Sequence, residues 1–188
     1  MRIDHARALS IVALLMAAGC TASSTQEMAE GDPATQTADT PAQLAESLLR
    51  GVSDSSRKVI ARAGLTPSRL RPGQTATLVL ALRIAPGWHI YAPGAAPAFA
   101  LPTRLEIALP AGLESAPGWD LPKPHKPLDG EGLIYEDTLS IQRRLRITMR
   151  APTGPGSLVC VIHYVVCDPF MCLPPETQSM PVRFDIVR

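Results

Sequence analysis

The chain has 188 residues, 46% of them hydrophobic but only 4% aromatic, with 19 prolines, 13 glycines and a formal net charge of +1. A chain of this length can bury one good core and carry appendages. Its breaker content favours a loop-rich β domain over a helical bundle, and its near-neutral charge excludes nucleic-acid recruitment by bulk electrostatics.

The first residues explain part of the hydrophobicity. Arg2 and Arg7 form a short basic region, Ala8 to Ala18 is an uncharged apolar run, and Ala17-Ala18-Gly19 places small residues before Cys20. A run this short fits a secretory signal rather than a membrane span. The small residues ending in Cys20 are similar to a bacterial lipobox. That likeness implies a lipoprotein signal peptide over 1–19, cleavage before Cys20 and lipidation of that cysteine. Thr21 is not the aspartate used for inner-membrane retention in some bacteria, which favours the outer membrane as the site of the anchor.

Cleavage removes two arginines and one aspartate and leaves acidic and basic residues equal in number. It also leaves Cys160, Cys167 and Cys172, an odd set in an oxidising compartment, so at least one thiol is unpaired or shared. Residues 20–54 read as a lipidated flexible tether: a polar, aperiodic stretch to about residue 40, then a short helix over Pro41–Arg50. Thr40 is its candidate N-cap, Pro41 its first helical residue, and Leu44, Leu48 and Leu49 share one side. Such a helix is marginal alone.

From about Arg57 the period becomes two, and residues 55–188 read as one β domain. Ala76, Leu78, Leu80, Leu82 and Ile84 alternate with polar residues over 75–84. Leu105, Ile107 and Leu109 repeat the pattern, as do Val182, Phe184 and Ile186. In Leu139–Arg150 the apolar set is Leu139, Ile141, Leu145, Ile147 and Met149; Arg143 intrudes on it and predicts a bend, a bulge or an end to burial. Turn-like Pro and Gly clusters separate these runs. Seven or eight such strands predict an all-β fold, an immunoglobulin-like antiparallel β-sandwich behind a signal peptide and tether.

Two segments do not alternate. Trp88-His89-Ile90-Tyr91 follows a Pro-Gly turn, and Trp119 to Gly132 holds too many prolines and glycines for a strand, which suits a stiff excursion over the surface. The run from Cys160 to Val166 is apolar on both faces, as in a central strand, and breaks at Asp168-Pro169.

Thiol–disulfide exchange needs an accessible thiolate and a second cysteine near enough to resolve the mixed disulfide. Cys167 and Cys172 meet the proximity requirement if the chain turns at Asp168 to Met171. A loop this short adds little entropic stabilisation, yet spacing alone leaves a structural staple and a redox reagent both open. Cys160 reads as a small buried hydrophobe. A Cu(I) site of Cys167 and Cys172 completed by Met171, His89 or His125 is a further alternative. There is no C-x-x-C, no G-x-S-x-G, no phosphate-cradling glycine loop and no H-E-x-x-H, so neither a cofactor nor a resident metal is expected.

Tyr164-Val165-Val166-Cys167, followed by Cys172-Leu173-Pro174-Pro175-Glu176-Thr177, resembles the active-site signature of the N-terminal periplasmic domain of the disulfide reductase DsbD. Pro86 to Tyr91 is similar to that family's glycine-plus-aromatic strand, and Gly130 to Leu139 to the segment after its cap loop. The resemblance covers residues 55–188 and implies an immunoglobulin-like fold and a periplasmic electron relay. It implies that Cys172 forms mixed disulfides with partners and Cys167 resolves them. It also implies a cap near Pro127-Leu128-Asp129, with Tyr91, His89 and Tyr164 around the site. Leu128 stands where the family cap often presents an aromatic ring. The membrane portion and thioredoxin-like domain that accompany this domain in the family have no counterpart here. The implied partners are therefore separate thioredoxin-fold proteins, a membrane reductase as donor and a periplasmic disulfide isomerase or similar acceptor. The competing class is a non-catalytic binding lipoprotein with a structural disulfide.

Overall fold

The computed structural model describes residues 39–98, 100–127 and 130–188. The expected signal peptide, Cys20, most of the tether, and the cap residues Leu128 and Asp129 lie outside the described residues.

Helix α1 (Pro41–Leu49) starts as expected. Thr40 Oγ1 accepts the Gln43 N–H and Gln43 Oε1 accepts the Thr40 N–H, a capping box with glutamine in the third position. The helix does not stand alone: Leu49 packs with Ile60 and Ala81. Arg83 donates to the carbonyls of Leu49 and Val52, each at 2.7 Å, supplying partners that the helix end lacks. The helix thus covers the outer face of a sheet, which is why Val79 and Ala81 can be as buried as Leu78 and Leu80 in the same strand.

That sheet has the order β1-β3-β8-β6, from β1 (Val59–Thr66), β3 (Thr75–Ile84), β8 (Thr138–Ile147) and β6 (Leu113–Ser115). The facing sheet has the order β2-β11-β9-β5, from β2 (Arg69–Leu70), β11 (Glu176–Ile186), β9 (Gly154–Tyr164) and β5 (Arg104–Ala108). Pairing is antiparallel throughout except between β2 and β11. Between the sheets lie the inward rows of each strand, among them Leu78, Leu80, Leu82, Ile141, Leu145, Leu158, Ile162, Val182 and Phe184. The result is the expected immunoglobulin-like sandwich.

Several expectations are corrected. The β3–β8 register runs unbroken past Arg143, which pairs with Leu78, and Leu145 and Ile147 beyond it are buried, so the strand neither bulges nor ends its burial there. Arg143 is tolerated on the apolar row because its guanidinium lies 5.3 Å from the Trp119 ring and donates to Ser115 Oγ at 3.1 Å. Met149, by contrast, is 77% exposed, because β8 stops at Ile147. The proline-rich segment after Trp119 also does more than cross the surface. It bridges back through Asp120 to Gln142 and through His125 to Ile134, and Tyr135 donates its hydroxyl to the Pro122 carbonyl at 2.9 Å.

A third, smaller sheet has the order β10-β4-β7, from β10 (Val166–Cys167), β4 (His89–Tyr91) and β7 (Ile134–Tyr135). The apolar run that looked like one strand is therefore two. β9 is central in its sheet up to Tyr164, the chain breaks at Val165, and β10 pairs with β4 instead.

Candidate active site

Cys167 and Cys172 form a disulfide, with Cα atoms 4.0 Å apart. They face each other as an isolated antiparallel bridge, and the chain between them turns tightly. Asp168 makes the turn: its Oδ1 accepts the N–H groups of Phe170 and Met171, both at 2.8 Å, and its own N–H donates to the Met171 carbonyl at 2.9 Å. Aspartate followed by proline suits this geometry, one residue closing its own turn and the next fixing φ. Leu173 N–H then donates to the Val166 carbonyl at 2.9 Å, so a backbone bond flanks the disulfide on its inner side.

The two sulfurs differ in access. Cys167 is 1% exposed and packs with Tyr91, Ile134 and Val165, whereas Cys172 lies on the surface. Beside it Phe170 is 94% exposed and Met171 55%, an apolar tip next to the reachable sulfur.

The base of the loop is clamped. Tyr164 and Glu176 are register partners on β9 and β11, and the Tyr164 hydroxyl donates to Glu176 Oε2 at 2.9 Å. Gln178 Nε2 donates to that hydroxyl at 2.6 Å and to the Val59 carbonyl at 2.9 Å, while its Oε1 accepts the Ala61 N–H. One buried glutamine thereby ties β11 to β1 of the opposite sheet. Burial, and then the Glu176 carboxylate, push the Tyr164 phenol well above its usual range, so it remains a donor. Tyr164 belongs to the main core and not to the small cluster around Cys167.

His89 and Tyr91 both reach the disulfide's surroundings. His89 is the cross-strand partner of Cys167, and its ring meets Tyr91 edge to face at 5.4 Å. Burial lowers the His89 pKa; Glu136 and Asp168 oppose that shift and His125 adds to it. Tyr91 and Ile134 face each other across β4 and β7. Gly132, at φ +86°, approaches so closely that a side chain there would meet the Ala95 carbonyl at 2.6 Å, which calls for glycine at the edge of the site. From the sequence, Asp168 has a place only in the turn between the cysteines, and Ile134 and Glu136 only in the segment after the cap loop, not among the site residues. The alternation of Ile134 and Glu136 about Tyr135 was the available signal, but nothing local shows which strand they pair with. Cys160 is a free thiol with no exposure, and burial pushes it up to about 12.

The model of the N-terminal region of the thiol:disulfide interchange protein DsbD matches residues 61–183. The chain belongs to the DsbD N-terminal family. The matched span runs from β1 into β11 and includes both bonded cysteines. Among solved structures, the chain is similar to the N-terminal periplasmic domain of ScsB from Proteus mirabilis, at 14% identity and a TM-score of 0.44, over 71% of this chain and 49% of that one. It thus spans about half of that ScsB domain. It is also similar to the reduced DsbD N-terminal domain of Neisseria meningitidis, at 13% identity and a TM-score of 0.36, over 73% of this chain and 94% of that one. Among curated proteins, no sequence matches. Thiol–disulfide exchange is the class of chemistry that the DsbD N-terminal family brings, and a Cys167–Cys172 disulfide is present in this chain. No helix among the described residues is long and apolar enough to cross a membrane.

Proposed function

We propose that this chain is a lipid-anchored periplasmic relay that passes electrons between thioredoxin-fold proteins through Cys167 and Cys172. Residues 1–19 are the signal, residues 20–54 carry the lipid on Cys20 and end in the docked helix, and residues 55–188 hold the exchange site. The anchor is in the outer membrane, with the domain in the periplasm. The donor is a separate membrane reductase and the acceptor a disulfide isomerase or a protein of that kind.

The observation that carries this reading is the unequal access of two bonded sulfurs, one exposed and one 1% exposed, on a loop held by its own hydrogen bonds. Exchange proceeds by attack of a thiolate on a disulfide sulfur, so the reachable sulfur meets the partner. In the reduced protein, the Cys172 thiolate attacks the acceptor disulfide, forms a mixed disulfide and expels one acceptor sulfur. Cys167 then attacks Cys172 Sγ, re-forms the internal disulfide and releases the second acceptor sulfur; two electrons have moved. The donor reverses these steps. The family's cap role falls to Leu128 and Asp129, Tyr91 and His89 belong to the site's surroundings, and Tyr164 is the clamp that sets where the loop begins.

Cys167→Ala tests the assignment, because Cys172 can then form a mixed disulfide but nothing resolves it. Trapping of a thioredoxin-fold protein through Cys172 is the expected result. If no such adduct forms in periplasmic extract while Cys172 remains free, the disulfide is a staple and the chain a binding module.

A further inference from the structure

Four side chains stand on one rung of the small sheet. The isolated bridge pairs Cys172 with Cys167, and the β10–β4 register pairs Cys167 with His89. The β4–β7 register pairs Ile90 with Tyr135 and Tyr91 with Ile134; one step further along it, Glu136 stands opposite His89. Residues facing each other across antiparallel strands project from the same face, with Cβ atoms about 4.5–5.5 Å apart. Side-chain contacts agree on the face. Cys167 packs with Tyr91 and Ile134, which lie two residues along their strands from His89 and Glu136 and so share their side. Across the sheet the rung reads sulfur, sulfur, imidazole, carboxylate. At its outer end, His125 Nε2 is 2.8 Å from Glu136 Oε2.

Resting on the relay reading above, the chemistry has a gap at the buried sulfur. Cys167 must lose its proton to resolve a mixed disulfide, yet it sits where solvent has little access. Cys160 shows what burial without a neighbouring base does: its thiol stays protonated up to about 12. We infer that His89 accepts the Cys167 proton during resolution and returns it in the reverse step, with the Glu136 carboxylate, itself paired with His125, acting on the imidazole through its negative charge. The Cys167 thiol gives its proton to the imidazole and its electron pair to Cys172 Sγ. The bond from Cys172 to the partner breaks, the partner sulfur leaves as a thiolate, and the imidazolium passes its proton to solvent. In the opposite direction an incoming thiolate attacks Cys172, and the imidazolium protonates Cys167 as it leaves.

The charges around His89 are known from each neighbouring element: Asp168 after β10, Glu136 after β7, His125 beside Glu136, and the neutral phenol of Tyr91 on its own strand. Burial outweighs the two carboxylates, so the neutral imidazole that can take a proton persists below the ordinary histidine range.

Stopped-flow reaction of the reduced full chain, in a Cys160→Ala background, with dithiobis-nitrobenzoate separates the steps. The first thionitrobenzoate is released by Cys172 at a rate that depends on reagent concentration; the second is released by Cys167 at a rate that does not. His89→Gln should slow the second release at neutral pH by at least about 10-fold, as loss of a general base does, and leave the first unchanged. His89→Tyr, which keeps a ring against Tyr91, should do the same. In the unmodified rung the second rate should rise with pH through an inflection below the ordinary histidine range, and both His89 variants should lose that inflection. Glu136→Gln should retain it but move it to lower pH, because the carboxylate that raises the His89 pKa is gone. A His89 variant with the parental second rate and pH profile overturns the proposal, as does equal slowing of both releases. Failure of the parent to show a second release overturns the relay reading along with it.

Discussion

Cys160 and Cys167 lie on one stretch of chain, are equally hidden from solvent, and have opposite prospects. Cys160 sits mid-strand in β9, paired on one side with Ile107 and on the other with Met180. Its sulfur is sealed by the two sheets and held as a thiol to about 12. Cys167 sits on a two-residue strand of a separate sheet, bonded to a surface sulfur and opposite an imidazole. Under the proposed relay, burial is therefore not what separates an inert cysteine from a reactive one. The difference is a covalent route from the hidden sulfur to the surface and a titratable neighbour in register with it.

Four substitutions test this contrast, from the largest expected effect to the smallest. Cys172→Ser should abolish reduction of a thioredoxin-fold acceptor, measured by following acceptor thiols. Loss of so short a disulfide should cost only about 2 kcal/mol in urea unfolding. Leu80→Ala, in the main core with no exposure, should invert that pattern: about 2–5 kcal/mol of stability lost, with the exchange rate per folded molecule unchanged. Tyr164→Phe strips the hydroxyl from a buried three-residue hydrogen-bond set and should cost about 1–3 kcal/mol. It should also speed amide exchange at the base of the cysteine loop, read by hydrogen–deuterium exchange. Cys160→Ala should cost no more than about 1–2 kcal/mol, within the ordinary span for a point change, and leave exchange intact. The native Cys160 thiol should resist iodoacetamide until denaturant is added. Its raised pKa carries a sign as well: the protein keeps the full benefit of the neutral thiol below the unfolded thiol's pKa and loses it as pH climbs through about 12.

Strands with a polar face were legible in the sequence. Alternation placed β3, β5, β8 and the end of β11, because a sheet with one wet face writes its register into every second residue. Alternation could not place the break at Val165. A strand apolar on both faces looks the same whether it continues or changes sheets, so β9 and β10 read as one run. Arg143 misled for a related reason: a charge on an apolar row predicts a break unless a distant aromatic covers it, and Trp119 is distant in sequence. The docking of the expected helix was hidden similarly, since its marginal stability says nothing about the outer face of β1 and β3 that it covers.

At the site, spacing brought out the Cys167 and Cys172 pair and the family resemblance added His89 and Tyr91, and the structure places all four together in or beside the small sheet. Tyr164 was expected at the same place, but its side chain points into the main core, where its hydroxyl clamps β9 to Glu176. That Cys172, Cys167, His89 and Glu136 share a rung depends on pairing among strands far apart in the chain. No local pattern encodes that pairing.

The central claim is that the Cys167–Cys172 bond is a reagent, and its reduction potential, measured by equilibration with glutathione, tests that most directly. A relay pair should equilibrate within the span of known thiol–disulfide oxidoreductases, about −120 to −270 mV, and should pass its electrons on to a thioredoxin-fold protein. A potential below about −300 mV, with no exchange, is the mark of a structural disulfide and would contradict the account.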